Sequence, residues 1–80
     1  MPSAIQPRTI RVKILQQPSG LYEGTSPDLN QLNVTEQTAA QVQAQVPNVI
    51  RNIFKSMGQN VTVSQSGHSP EYTNYLVTPQ

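Results

Sequence analysis

The stretch Ile10-Arg11-Val12-Lys13-Ile14-Leu15-Gln16-Gln17-Pro18-Ser19-Gly20-Leu21-Tyr22-Glu23-Gly24-Thr25-Ser26 reads as a β-hairpin. Ile10, Val12 and Ile14 alternate with Arg11 and Lys13, the period of a half-buried strand whose β-branched residues turn inward. Pro18 presets φ for a type I turn, and Gly20 accepts the left-handed conformation that follows it. A three-residue loop of Pro18, Ser19 and Gly20, the common hairpin form with a bulge, places Ile14 opposite Gly24 and Val12 opposite Ser26. The inner face of the first strand then meets Tyr22, Gly24 and Ser26. On the outer face Lys13 meets Thr25, with Glu23 diagonal to it and able to form a weak cross-strand ion pair. Gly24, a glycine inside a strand, marks the close approach of a neighbour, expected to be the helix.

Residues 1–7 carry prolines at positions 2 and 7 and no periodicity, and are expected to form a flexible lead-in. After the hairpin, Ser26-Pro27-Asp28-Leu29-Asn30 ends the second strand: Pro27 cannot donate to a ladder, and Asp28 and Asn30 favour turns. Leu32-Asn33-Val34 is a short third strand with Leu32 and Val34 inward. Thr35 and Thr38 are both helix caps by type, and Thr38 opens the stronger pattern. Val42, Val46, Val49, Ile50, Ile53, Phe54 and Met57 recur at steps of three and four and form one apolar stripe. Gly58 ends it, with Lys55 near the negative end of the helix.

Pro47 sits inside this stripe, without the N–H that would bond the Gln43 carbonyl. Either one helix bends at Pro47, or a first helix ends near Val46 and a second begins on the proline. The stripe keeps phase across position 47, which favours a single kinked helix. Asn60-Val61-Thr62-Val63-Ser64 alternates as another strand. Ser66-Gly67-His68-Ser69-Pro70 reads as a breaker. The segment from Glu71 to Val77 is expected to be mobile, or docked as an added strand within or between chains. The expected architecture is therefore α+β, in the order β-β-β-α-β. An antiparallel sheet of three to four strands carries one long Pro-containing helix on one face. The domain spans residues 8–66, and residues 67–80 form a tail.

Eighty residues suffice for one domain. A chain of this size buries only about 60% of the surface it exposes when unfolded. Apolar residues make up 35% and charged residues 11%, both below the roughly 45–50% and ~25% of ordinary domains. A thin core with few charges leads to an expectation of self-association, with a dimer first. A net charge of +1 predicts no strong steering toward nucleic acid or toward a basic partner. The absence of cysteine excludes a disulfide framework and a Cys-based zinc site. No leader of basic and apolar residues is visible, and no apolar run approaches the ~20 residues of a membrane span. A cytoplasmic location and no membrane association are the expectations.

Gly20-Leu21-Tyr22-Glu23-Gly24-Thr25-Ser26-Pro27-Asp28-Leu29 resembles the second strand and following turn of HicB-like antitoxin domains. Tyr22 stands in the aromatic place, Gly24 in the small-residue place, and Ser26, Pro27, Asp28 and Leu29 in the turn. Leu32 stands where the family has an apolar residue. Gln37-Thr38-Ala39-Ala40 is similar to the family's helix start, and Pro47-Asn48-Val49-Ile50 to a Pro-Glu-Leu-Leu stretch in the helix of an uncharacterised single-domain branch. Asn30-Gln31 replaces the usual Pro-Gly, and the helix is poor in acids where the family is often rich in Glu. The resemblance covers residues 8–66. It implies a degraded RNase H-like fold without nuclease activity, which binds a small mRNA-cleaving toxin. Family members usually carry a further DNA-binding module. Residues 67–80 are too short for one, so the implied function is the partner-binding half alone.

Catalytic chemistry finds little support in the residues. A nuclease of this fold needs carboxylates converging on metal, and the acids Glu23, Asp28, Glu36 and Glu71 are dispersed. Glu23 is expected on the outer face, and Asp28 in a turn, capping its own backbone. His68 has no ligand partner nearby, no serine has a base, and no glycine-rich phosphate loop is present. No enzyme, cofactor or metal is expected. Arg11 and Lys13 share an exposed face and are the candidates for RNA phosphate contact. A solvated basic face partnered by Glu23 is favoured over that reading, because interleaved aromatics are lacking. Three functions follow as expectations. The first is a partner-binding domain of the antitoxin type, binding a small toxin-like protein or a second copy through an exposed strand edge and the tail. The second is a standalone RNA-binding module using the outer sheet face. The third is a small mobile-element protein without a toxin partner.

Overall fold

The computed structural model describes residues 7–80, so the lead-in expected over residues 1–7 lies, apart from Pro7, outside the described residues. The elements are β1 (Arg8–Gln16), β2 (Tyr22–Thr25), β3 (Asn33–Glu36), α1 (Ala39–Ser56), β4 (Val61–His68) and β5 (Thr73–Pro79). All strand pairings are antiparallel, and the sheet runs in the order β3-β2-β1-β5-β4. The single helix packs on one face of this open sheet.

The hairpin forms with the expected register, Ile14 opposite Gly24 and Lys13 opposite Thr25. Its turn is closed by the Gly20 amide donating to the Gln17 carbonyl at 2.8 Å and the Gln17 amide donating to the Leu21 carbonyl at 2.7 Å. Gly20 lies at φ 93°, the left-handed region that a bulged three-residue hairpin loop requires. Val12 does not face Ser26. β2 ends at Thr25, and Val12 pairs instead with Thr73 on the opposite neighbour, β5.

The sheet has five strands where three to four were expected, and the order is β-β-β-α-β-β. The additional strand, β5, lies between β1 and β4 and is hydrogen-bonded to both. Thr73, Tyr75 and Val77 are buried, whereas Asn74, Leu76 and Thr78 are not. Leu76 on the open face and Thr73 on the covered face mask this alternation in the amino-acid sequence. β4 also runs past Ser66 to His68, because a bulge between Gln65 and Gly67 absorbs the irregular residues without ending the strand. The β4–β5 turn is tied by the Ser69 amide donating to the Tyr72 carbonyl at 2.7 Å.

α1 starts at the N-cap Thr38. The Thr38 hydroxyl accepts from the Gln41 amide, and the Gln41 side chain accepts from the Thr38 amide, each at 3.1 Å, a reciprocal capping box. The helix runs unbroken through Pro47. At its end the Gly58 amide donates to Lys55 and the Gln59 amide to Phe54, the paired bonds of a Schellman motif, with Gly58 at φ 78°. Val42, Val46, Ile50 and Phe54 are buried, and Val49 and Ile53 pack against the edge of the core. Met57 is exposed rather than part of the core stripe, because it is the C-cap, where the backbone has left helical geometry. The core is completed by Ile10, Val12, Leu29, Leu32, Val34, Val61, Tyr75 and Val77.

Candidate functional site

The residues singled out in the hairpin and its following turn come together, but as a structural clasp. β2 ends at Thr25, which leaves the backbone of β1 near Arg11 without a strand partner on that side. Asp28 fills the gap. Its carboxylate accepts from the Arg11 amide at 2.9 Å, from Arg11 Nε at 3.0 Å and from an Arg11 terminal nitrogen at 2.9 Å. The expectation that Asp28 caps its own turn is corrected: the Ser26 hydroxyl does that, accepting from the Asp28 amide at 3.0 Å, which leaves the Asp28 carboxylate for Arg11. Arg8 adds a bond to the Asp28 carbonyl at 3.1 Å. Pro27 is exposed at the bend, and Leu29 is buried beneath it.

Electrostatics follow this geometry. Hydrogen bonds from the Arg11 guanidinium, and then from its amide, hold the Asp28 carboxyl down at about 2. The same side-chain bond raises Arg11 above its ordinary value. The Arg11 guanidinium carbon also lies 5.3 Å from the centre of the Tyr72 ring, within cation–π range. The partner of this basic strand is therefore Asp28, not Glu23, which instead accepts from the Gln17 side chain. Any phosphate contact at Arg11 would have to displace a bidentate carboxylate. Lys13 is half-buried opposite Thr25. Tyr22 is half-buried against the core, and Gly24 is buried, with a Cβ there falling 2.7 Å from Val42 Cγ1. These two positions serve packing.

The feature best suited to recognition is the edge strand β4. It is eight residues long, Val-Thr-Val-Ser-Gln-Ser-Gly-His, and among the described residues no strand pairs with its outer side. It holds no Lys, Arg, Asp, Glu or Pro, the residues that commonly block pairing at a sheet edge. The opposite edge, β3, is half that length at four residues and ends in Glu36. Val61 and Val63 turn toward the helix side, while Thr62 and Ser64 lie on the open face, where Leu76 is also exposed. β5 offers no edge, since both of its sides are paired.

Among the described residues no three His, Asp or Glu side chains gather into a group able to hold a metal ion. His68 is the exposed last residue of β4. Among the described residues no helix is long and apolar enough to cross a membrane.

No family model, curated protein or solved structure matches the chain.

Sequence reasoning missed Tyr72 beside Arg11 and the pairing of Tyr75 with α1. Both depend on β5 lying beside β1, and no local pattern near residue 72 encodes that contact. The open edge had a readable signal: the run from Gln37 to Pro70 contains no acidic residue, and β4 itself contains no charged one.

Proposed function

We propose that this chain is a non-catalytic partner-binding domain of the antitoxin kind. It receives an extended segment of a small toxin-like protein on the outer edge of β4. The observation that carries this reading is the uncharged, proline-free edge of β4, regular over Val61–Gln65 before its bulge, with which no strand pairs among the described residues; the Gln80 side chain, donating to the Val61 carbonyl at 3.4 Å, would have to give way to an added strand. Strand addition draws its affinity from main-chain hydrogen bonds and its specificity from alternate side chains. Here Val61 and Val63 offer an apolar row on one face, and Thr62 and Ser64 a hydroxyl row on the other. The likeness of Tyr22, Gly24 and the Ser26–Leu29 turn to HicB-like domains supports a toxin as the partner.

The test is purification of the tagged chain from its native host, followed by one-to-one reconstitution with whatever co-purifies. The expected partner is a small mRNA-cleaving protein whose activity the chain suppresses stoichiometrically. Thr62→Lys with Ser64→Lys should abolish suppression while the chain stays folded by circular dichroism. A chain that purifies only with itself, or a double variant that suppresses as well as the parent, overturns this reading.

A further inference from the structure

β1 is left open on both of its sides, at different places. On the β2 side the opening falls at Arg11, and Asp28 closes it. On the β5 side pairing stops at Val12 opposite Thr73, while β1 runs on to Gln16. Backbone groups of successive strand residues point to alternate sides. The Arg11 amide points to the β2 side, as do those of Lys13 and Leu15. The amides and carbonyls of Ile14 and Gln16 therefore point to the side where β5 has already ended. Among the described residues no side chain and no turn residue bonds to them. The β4–β5 turn does not reach across. Its Ser69 amide donates to the Tyr72 carbonyl at 2.7 Å, and its Tyr72 amide to the Ser69 hydroxyl at 3.2 Å, so the turn is closed on itself.

A cleft of about 160 Å³ lies beside this open backbone, room for roughly five water molecules. Val12, Ile14 and Ala39 give it an apolar lining, Tyr22 and Tyr72 add two aromatic rings, and Glu71 is the only charged residue that lines it. Glu36 stands directly opposite Tyr22 and adds a second carboxylate on the same face of the sheet. Among the described residues the single ion pair is Arg11 with Asp28, so Glu71 has no cationic partner. The start of α1 meets the cleft at Ala39, and its Gln41 amide is taken up by the Thr38 hydroxyl.

We propose that the open half of β1 binds an extended basic segment of a protein partner, with a Lys or Arg side chain entering the cleft opposite Ile14. The free backbone groups of Ile14 and Gln16 pair with the main chain of that segment. A residue directly opposite Ile14 turns its side chain to the same face as Ile14, which is the face of the cleft. The aliphatic stem of a Lys or Arg covers the apolar lining, and its charge meets Glu71 and the tyrosine rings. The slot is separate from the outer edge of β4 and does not rest on the strand-addition reading there.

The test uses the full chain, isotopically labelled, with backbone amide signals followed by NMR. The probes are the capped peptide acetyl-Val-Thr-Lys-Thr-Val-amide and the same peptide with Glu or norleucine in place of Lys. The Lys peptide is expected to give saturable shifts at Ile14 and Gln16 and to slow hydrogen exchange at the Ile14 amide. The Glu peptide should bind about tenfold more weakly. Glu71 is exposed, and Glu71→Gln should remove the preference for Lys over norleucine while the shifts at Ile14 persist. Thr62→Lys with Ser64→Lys should leave binding of the Lys peptide unchanged, which separates this slot from the β4 edge. No saturable shift at Ile14, equal binding of the Lys and Glu peptides, or shifts confined to Val61–Gln65 would each overturn the proposal.

Discussion

The Tyr75 hydroxyl donates a hydrogen bond to the Gln43 carbonyl at 3.3 Å. Gln43 is four residues before Pro47, so its carbonyl is the one that Pro47, having no N–H, cannot satisfy within the helix. A buried tyrosine on β5 thus supplies the donor that the helix lacks. Burial raises the Tyr75 hydroxyl above its ordinary pKa. The Gln43 side chain also donates to the Thr73 hydroxyl at 3.4 Å, a second tie between α1 and β5.

This relationship predicts coupling between two positions far apart in sequence. Tyr75→Phe leaves the Gln43 carbonyl without its donor and should cost roughly 1–3 kcal/mol. With Pro47→Ala the helix regains an N–H at position 47, and the same Tyr75→Phe change should cost markedly less. Urea denaturation of the four-member cycle measures the difference. Equal costs in both backgrounds would mean that the Tyr75 hydroxyl does not stand in for the N–H missing at Pro47.

Gly24 and Val42 set the spacing between sheet and helix. A Cβ at Gly24 would fall 2.7 Å from Val42 Cγ1 and 3.5 Å from Val12 Cγ1. Gly24→Ala should therefore destabilise the fold by ~1–3 kcal/mol through overpacking. Val42→Ala, which removes the opposing methyl, should recover part of that loss when combined with it. Thermal unfolding of the two single variants and the double variant decides the matter, and additive losses would count against a steric clash.

The Asp28 carboxyl titrates in the folded state at about 2, below the ~3.9 of an unfolded aspartate. The folded value is depressed, so the stabilisation is fully present above about pH 4 and is lost as pH falls toward 2. Asp28→Asn should flatten that part of the stability–pH curve. Because the pair faces solvent, the effect should shrink at high salt. Thermal melts between pH 2 and 5 at low and high salt provide the measurement.

β5 joins β1 to β4, and removing it leaves both without a neighbour on that side. A chain ending at His68 also loses the buried Thr73, Tyr75 and Val77. It should be unfolded by circular dichroism, with collapsed amide dispersion in NMR. A cooperative melt from that fragment would show that residues 8–66 are an independent unit.

The amino-acid sequence alone determined whatever depends on neighbours along the chain. The Pro18-Ser19-Gly20 turn sets the hairpin register, because a left-handed glycine after a proline-started turn admits one pairing parity. Thr38, Gln41 and Gly58 bound the helix through local caps, and the phase of Val42, Val46, Ile50 and Phe54 carries it through Pro47. The third dimension decided what depends on distant partners. β5 enters the middle of the sheet because Thr73, Tyr75 and Val77 find buried places between β1 and β4, although Leu76 blurs their alternation. Asp28 is bound to Arg11 because β2 ends early and leaves a β1 amide open. The helix tolerates Pro47 in company with a hydroxyl that arrives from thirty-two residues downstream of Gln43. The open edge of β4 belongs to this second class. Val61–His68 is recognisable as a strand from its own residues, but only the insertion of β5 places it at the margin of the sheet.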